Sequence, residues 1–392
     1  TDLASTEHPW PFTSYLMALC GHVGGFSEAC LHLGFLAFPI VLACSMYSLA
    51  RRHTHHPVLA SMTLLALPVV WVSSHTLMTD IPLLALWVAS VALFCRGLDS
   101  GRMSLVWFGT AVGALASLVT YAGFCLVPLL ALYGILWRKR AAVLTAFIVP
   151  VTVFALWVAV NYFHYHRVAP GLLLSSYFFV QRVLSPGLLL QKSAFIVASL
   201  GGVTIFPFFL ISPSRRTPLA VGFGIALMAC FGLDVPKYGP LQMVMFLLFF
   251  CAGFITIIEV VRVLLNSLAA LKSGDLQEAA DELFLSLWFI GVLIFYTAVT
   301  MTGSARFLLP ATPPLVLLLF RRLEYNQDKT ILRRTALANL ALSGSLALLL
   351  SIADYQFAAI YRDFESVLRR SHPSRAGGLW FTGEWGFRAY LE

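Results

Sequence analysis

Charged residues are scarce in this sequence. Asp, Glu, Lys and Arg make up 11% of its 392 residues, whereas a soluble globular domain carries about 25%. Because a wet surface needs more charge than this, the composition excludes a soluble protein of two or three domains. It also excludes a nucleic-acid-binding protein, since the net charge of +8 is spread over short connections between apolar runs and is not gathered into one basic patch.

Cysteine pairs and metal-ligand spacings are missing as well. The seven cysteines stand singly, mostly inside apolar runs, and none forms a Cys-x-x-Cys pair. This pattern predicts small apolar residues packed between helices. It supports neither a disulfide framework nor a metal site.

Apolar residues dominate what remains. They form 59% of the chain, the mean hydropathy is +0.84, and the apolar runs recur over almost the whole length. The predicted fold class is all-α: a polytopic transmembrane helical bundle of about twelve spans in this chain. The predicted spans are 27–50, 57–76, 81–95, 104–119, 122–137, 141–163, 191–212, 217–233, 240–266, 283–302, 306–321 and 334–353.

Lys and Arg alternate between the two sides of this bundle. Sixteen lie in every second connection, from Arg51 and Arg52 after the first span to Arg333 and Arg334 after the eleventh, and five lie in the opposite connections. Short cytoplasmic loops carry the excess of basic residues. We therefore predict a multi-pass protein of the plasma (inner) membrane with both ends of this chain extracytoplasmic.

The predicted division has three parts: 1–26, an extracytoplasmic loop with an interfacial helix; 27–353, the transmembrane domain; and 354–392, the start of an extracytoplasmic C-terminal domain. In the first part, PFTSYLMALCGHVGG (11–25) is typical of an amphipathic helix on the membrane surface. Residues 164–190 form the longest internal outer loop. Residues 267–282 predict a cytoplasmic helix.

Charge is almost absent from the span centres. Ionisable residues inside a membrane mark transport paths and proton relays. Glu259 lies nearest to a span centre, and its spacing from Arg262 predicts an interfacial ion pair at helical spacing. Asp80, Asp234 and Arg306 instead fall at predicted outer helix ends. The pattern weighs against a proton-coupled transporter and favours chemistry at the outer surface.

The first outer segment whose side chains could take part in a reaction is EHPWPFTSYL (7–16). It sets Glu7 and His8 against a Pro-Trp-Pro corner. Proline fixes its own φ and biases the preceding residue towards extended backbone, so this turn would hold its neighbours in place. The alternative is an ordinary interfacial turn.

Two further outer segments carry polar residues. SHTLMTDIP (74–82) puts His75 and Asp80 in a short hairpin between spans, and GSARFLLPATPP (303–314) puts Arg306 at a helix start. Ordinary turns are the alternative for both, with His75 as a hydrogen bonder at a helix end. Asp80 would then be the N-cap of the following span, with Pro82 in its first turn.

These segments, in this order, resemble the membrane glycosyltransferases of the C-type fold. The similarity is to the branch of protein O-mannosyltransferases and lipid A aminoarabinose transferases, including bacterial members of glycosyltransferase family 39. The features that carry it are the proline-rich turn EHPWPFTSYL, Met78-Thr79-Asp80, the Arg306-Phe307 element with Pro310, and GEWGFRAYLE (383–392) as the entry to an outer domain.

The resemblance implies transfer of a hexosyl or pentosyl group from a polyprenyl-phosphate-linked donor, within the membrane lipid, to an acceptor protein or glycolipid at the outer face. No cofactor is expected, because the lipid-linked sugar is a substrate, and no metal ligand is identified. Related enzymes carry an acidic general base before the proline-rich turn. We expect that base, and a further span, upstream of Thr1.

The predicted site residues follow from the resemblance and from the outer position of each side chain. The candidate catalytic residues are Asp80, Glu7 and Asp2, and the candidate substrate-binding residues are Arg306, His8 and His75. A departing lipid phosphate needs a cation, and the planar Arg fork suits phosphate oxygens. An acceptor hydroxyl needs a carboxylate within hydrogen-bond reach.

Two other functions fit the same composition. A transporter or a flippase for lipid-linked sugars would show a polar path through the spans. A non-catalytic membrane subunit that anchors partners would have no requirement for Asp80 or Arg306.

Overall fold

The computed structural model describes residues 11–136, 140–165, 186–203, 239–273, 276–299, 304–326 and 329–371. Every regular element in these ranges is helical, which confirms the all-α fold class. The α-helices are α1 (Pro11–Gly24), α2 (Glu28–Phe35), α3 (Ala37–His53), α4 (Pro57–Leu65), α5 (Pro68–Ser74), α6 (Asp80–Ser100), α7 (Met103–Val119), α8 (Leu126–Leu136), α9 (Arg140–Thr145), α10 (Ile148–Tyr165), α11 (Pro186–Val203), α12 (Pro240–Ser273), α13 (Leu276–Val299), α14 (Thr312–Asn326) and α15 (Lys329–Ser371). Short 3₁₀ helices at Tyr121–Cys125 and Ala305–Ala311 complete the set.

Membrane crossing is supported by six helices that are long and apolar enough, or seven if α4 and α5 form one broken span. Three shorter apolar helices accompany them, at Met103–Val119, Ala122–Ile135 and Leu189–Val203. Most of the predicted spans thus coincide with helices, whereas 217–233 lies outside the described residues. The number of twelve spans stays a prediction.

Helix α6 forms the centre of the bundle, and 83% of its apolar window is buried. Its sequence is a nearly unbroken run of Leu, Ala, Val and Trp, and it ends at Gly101, whose φ of 66° gives the left-handed C-terminal conformation that glycine accepts. The indole of Trp87 stacks on Trp288 of α13, with ring centroids 6.4 Å apart. Side chains on all sides of α6 are therefore core residues.

Small residues let the helices around α6 approach closely. The Ser90 hydroxyl of α6 donates a hydrogen bond to the Gly109 carbonyl of α7, at 2.7 Å. A Cβ on Gly109 would lie 2.9 Å from the Phe94 backbone nitrogen. Membrane helices lack a hydrophobic drive towards one another, so such close backbone packing contributes much of their association.

Helices α11 and α12 cross at a pair of glycines. A Cβ on Gly201 would lie 1.7 Å from the Phe249 carbonyl oxygen, and one on Gly253 would lie 1.9 Å from the Val197 carbonyl oxygen. No side chain fits between these backbones. The crossing therefore depends on glycine at both positions.

The second predicted span is broken rather than continuous. Helices α4 and α5 meet at an angle of 64°, where Leu67 adopts extended backbone with ψ of 130°. Pro68 has no N–H for the helical ladder and disfavours helical geometry in the residue before it. The predicted span 57–76 therefore contains a bend, which its apolar pattern does not show.

One boundary prediction changes. Residues 267–282 do not form a separate helix: α12 continues through Ser273 and α13 begins at Leu276, so this stretch belongs to the ends of two long helices. Helix α15 continues past residue 354 and runs through Ser371, and the three-part division stays a prediction. A helix, α1, is present within 11–25, and its position at the membrane interface stays a prediction.

The helices place polar residues at two ends of the bundle. Asp80 and Asp99 lie at opposite ends of α6, roughly 29 Å apart at 1.5 Å per residue, which is close to the hydrocarbon thickness of a bilayer. Arg306 lies near Asp80, and Arg52 binds Asp99. We call these the Arg306 end and the Arg52 end.

A network of ion pairs connects four helices at the Arg52 end. Arg52 binds Asp99 through Nε at 2.7 Å and Nη2 at 3.1 Å, and it binds Asp281 through Nη1 at 2.9 Å. The Tyr133 hydroxyl donates to Asp281 at 2.8 Å, and the guanidinium lies 5.7 Å from the centre of the Tyr133 ring. One arginine thereby joins α3, α6, α8 and α13.

The glycine crossing predicts a specific stability defect. Gly201→Ala should lower the melting temperature of the purified protein in detergent, because overpacking costs about 1–3 kcal/mol. Gly291→Ala is the matched control, since a Cβ there meets nothing within 4 Å, and alanine is the better helix former by about 1 kcal/mol. Equal melting temperatures for Gly201→Ala and the wild type would contradict the close crossing.

The arginine network predicts a second defect. Arg52→Ala leaves two carboxylates without their cation, and breaking a buried ion pair costs on the order of 3–5 kcal/mol; the Arg52 and Asp281 side chains are only 14% and 10% exposed. Thermal unfolding monitored by size-exclusion chromatography should show the loss. Arg96→Ala, an exposed arginine near the same end of α6, should leave the melting temperature unchanged. An unchanged melting temperature for Arg52→Ala would show that the network does not stabilise the fold.

Candidate functional site

The Arg306 end brings together two segments that are far apart in the chain. Arg306 Nη1 lies 3.0 Å from the Met78 sulfur, across 228 positions of sequence. Met78 and Asp80 belong to the hairpin between α5 and α6, and Arg306 belongs to the 3₁₀ helix that leads into α14. The structure thus places side by side two of the four motifs that carried the sequence resemblance.

The hairpin presents Asp80 at the start of α6. Thr79 occupies the N-cap position with no side-chain hydrogen bond, and Asp80 is the first helical residue. The structural alternative in which Asp80 caps the span was therefore wrong. A carboxylate in the first helical turn still interacts favourably with the helix dipole, so its charge contributes to local stability.

The position of Arg306 is fixed by the residues around it. Ser304 is in extended backbone, the 3₁₀ helix Ala305–Ala311 follows, and its Leu308 and Leu309 are buried. The guanidinium carbon lies 5.4 Å from the centre of the Phe307 ring, and that ring stacks on Tyr296 of α13 at 5.5 Å. Aromatic contacts of this kind hold a cation without neutralising its charge.

Arg306 keeps hydrogen-bonding capacity. A guanidinium has five N–H donors, and the only acceptor that contacts it among the described residues is the Met78 thioether, a weak one. Arg306 attracts the half-buried Asp80 carboxyl electrostatically, but these two described side chains form no direct ion pair. The arrangement leaves a cation and a carboxylate near each other, each with unfilled capacity to bind a ligand.

His75 has a partner that sequence reasoning missed. Its Nε2 lies 3.3 Å from the Asp354 carboxylate of α15, and the two side chains are 40% and 49% exposed. The pair joins the end of α5 to α15. Asp354 entered the sequence analysis only as a domain boundary, although its place at the outer end of the last span was a signal that it could meet the hairpin.

The other predicted site residues, Asp2, Glu7 and His8, lie outside the described residues. Their roles stay predictions. In the part of the chain that the structure describes, no three or more His, Cys, Asp and Glu side chains are grouped to hold a metal ion.

Glu259 has a different partner from the predicted one. Its carboxylate binds Arg322 of α14, whereas helical spacing had indicated Arg262. The pair lies at the Arg52 end, where a cavity of about 990 Å³ also opens. Neither Asp80 nor Arg306 lines that cavity, so the two ends of the bundle are chemically separate.

Comparison with known proteins supports the resemblance over the N-terminal part of the chain. Residues 7–166 match the model of the family described as dolichyl-phosphate-mannose-protein mannosyltransferase. The match includes the proline-rich turn, His75 and the Met78–Asp80 hairpin, while Arg306 lies beyond it. No curated protein and no solved structure gives a significant match. Together with the apolar helices, the family match supports a membrane glycosyltransferase similar to the protein mannosyltransferases.

Proposed function

We propose that this protein transfers a sugar from a polyprenyl-phosphate-linked donor to an acceptor at the outer face of the membrane. The observation that carries the proposal is the contact between Arg306 and Met78, which brings a guanidinium near the Asp80 carboxylate at one end of the bundle. The family description names dolichyl-phosphate mannose and a protein, so a mannosyl donor and a protein acceptor are the first to test. A glycolipid acceptor shares the same chemistry.

The donor requires a cation at the level of the headgroups. Its tail stays in the bilayer and its phosphate reaches the interface. As the glycosidic bond breaks, the lipid phosphate leaves with the bonding electrons and gains negative charge. Arg306, whose guanidinium has unfilled donors, would stabilise that charge through a bidentate contact.

The acceptor requires a base. An acceptor hydroxyl attacks the anomeric carbon as its proton passes to a carboxylate within hydrogen-bond reach. Asp80 would orient the acceptor or a neighbouring base, with Asp2 and Glu7 as the acidic candidates for that base. His8 and His75 are the further predicted binding residues, and the contact with Asp354 would orient the His75 ring.

The sidedness follows from the charges. The Arg52 end holds connections rich in Lys and Arg, which the positive-inside rule assigns to the cytoplasm. The Arg306 end would then face outwards from the plasma (inner) membrane, and both ends of this chain would be extracytoplasmic.

A polar path of the kind that a flippase needs is not seen in the central helix. Between Ile81 and Cys95, the single hydroxyl side chain of α6 is Ser90, and it is already bonded to the Gly109 carbonyl. The alternative of a lipid-linked-sugar flippase has no observation in its favour at this position.

The donor role of Arg306 predicts a defect in donor use. Arg306→Ala should weaken donor binding roughly 10- to 100-fold, because a hydrogen bond to a charged group contributes about 1.5–3 kcal/mol. Arg306→Lys should also be impaired, since it keeps the charge but loses the fork. The measurement is the KM for polyprenyl-phosphate mannose with purified protein in liposomes. Arg333→Ala, an exposed arginine of α15, is the control, and unchanged donor KM in both Arg306 variants would remove Arg306 from the site.

The role of Asp80 predicts a loss of transfer without a loss of folding. Asp80→Asn keeps the size of the side chain and removes its charge, so the turnover rate should fall by about 100-fold, the size of effect that follows when a reacting group is misplaced. Glu28→Gln is a matched control, because Glu28 is also an acidic residue in a first helical turn. A normal transfer rate for Asp80→Asn would leave the carboxylate with a structural role alone.

A further inference from the structure

A second candidate site lies at the Arg52 end, about one bilayer thickness from Arg306. The cavity there measures about 990 Å³. Its walls are the C-terminal ends of α3 and α14 and the neighbouring parts of α12 and α13, and five arginines and four glutamates line it. The proposed transfer reaction uses none of these side chains.

Three of the five arginines already have carboxylate partners. Arg322 binds Glu259, and Arg321 Nε lies 3.5 Å from the Glu282 carboxylate. The third is Arg52, which is held by the aspartates of the network described above. These ion pairs line the cavity, and their charges are already paired within the protein.

The remaining charges are unmatched. Arg51 and Arg262 are exposed to the cavity and form no ion pair within the described ranges, and the same holds for Glu278. Glu324 accepts hydrogen bonds from a threonine hydroxyl and a backbone N–H, both neutral donors, and has no cationic partner among the described residues. The cavity therefore offers two cations and two carboxylates whose charges sum to zero.

We infer that this cavity binds a phosphate ester that also carries an amine, of the aminoethyl phosphate type found in phospholipid headgroups. Arg51 and Arg262 would hold the phosphate, since guanidinium groups match phosphate oxygens. Glu278 and Glu324 would accept hydrogen bonds from the ammonium group. A ligand with one charge of each sign complements a wall whose unmatched charges cancel.

His53 carries a buried polar atom beside the cavity. The residue is among those that line the cavity and is only 4% exposed, and its Nε2 lies 3.3 Å from Arg52 Nη1. A guanidinium can only donate, so Nε2 accepts and the ring proton is on Nδ1. No acceptor for Nδ1 is found in the described part of the chain, and most buried donors in folded proteins have a partner.

The surroundings favour a lipid as the source of this headgroup. Val261 and Leu265 flank Arg262 on α12 and are 37% and 60% exposed, so acyl chains have apolar surface directly beside the cation. The cavity also lies at the depth expected for headgroups, as the length of α6 shows. A free aminoethyl phosphate has the same charged groups but lacks the chains.

The test is a binding titration on the purified full chain in neutral detergent, read by native mass spectrometry. The probes are phosphatidylethanolamine, phosphatidylglycerol, which lacks the amine, and soluble phosphoethanolamine. The wild type should prefer phosphatidylethanolamine. The double variant Arg51→Ala/Arg262→Ala should bind it about tenfold more weakly or worse. Arg96→Ala/Arg333→Ala removes two exposed arginines outside the cavity and should bind normally.

Glu278→Gln tests the contact with the ammonium group separately from the contact with the phosphate. It should weaken binding of phosphatidylethanolamine and leave that of phosphatidylglycerol unchanged. This comparison tests the proposal even if the double arginine variant fails to fold. Binding of phosphoethanolamine as tight as that of the lipid would keep the chemistry and assign a soluble source. Equal binding of the two lipids by the wild type, or normal binding by a folded double variant, would overturn the proposal. Sugar transfer is not the readout, so failure here is distinct from failure of the proposed function.

Discussion

An ionised side chain in a hydrocarbon layer must be paired or must reach the interface, and this constraint divides the molecule into two chemical ends. The central helix α6 carries Asp80 at its first turn and Asp99 at its last, with apolar side chains over almost all of the length between them. The contacts of Arg306 and the ion pairs of Arg52 therefore lie at opposite ends of this helix.

The two ends use their charges differently. At the Arg52 end, one guanidinium binds two aspartates and lies beside a tyrosine ring. Most of its hydrogen-bond donors are therefore occupied by contacts that join four helices. At the Arg306 end, the guanidinium is positioned by a thioether and an aromatic ring, and neither removes its charge. The first arrangement joins helices of the fold, whereas the second leaves a cation with unfilled hydrogen-bonding capacity.

Much of this organisation was predictable from the sequence, because a bilayer sets the composition and the length of the apolar runs that cross it. The all-α class and the location of most helices follow from that physics. The contact between Met78 and Arg306 was not predicted, since a contact across 228 positions leaves no trace in local spacing. The family match over residues 7–166 supports the resemblance of the N-terminal part of the chain, and it does not reach Arg306.

The features that the sequence analysis missed share a physical cause. Glu259 was matched to Arg262 because helical spacing considers only one helix, and its partner Arg322 comes from another. The break at Pro68 was overlooked because the apolar run continues through it, although proline alters the backbone and not the hydropathy. Asp80 was considered as an N-cap from its residue type, while the start of α6 depends on backbone geometry that places Thr79 there.

The central claim is that Asp80 and Arg306 belong to one site for sugar transfer. A double-mutant cycle on transfer rate tests it most directly, because residues that act through a shared substrate show coupled effects and independent residues show additive ones. We predict that Asp80→Asn combined with Arg306→Ala loses clearly less activity than the product of the two single losses. Losses that multiply fully, or single variants with normal transfer, would contradict the account.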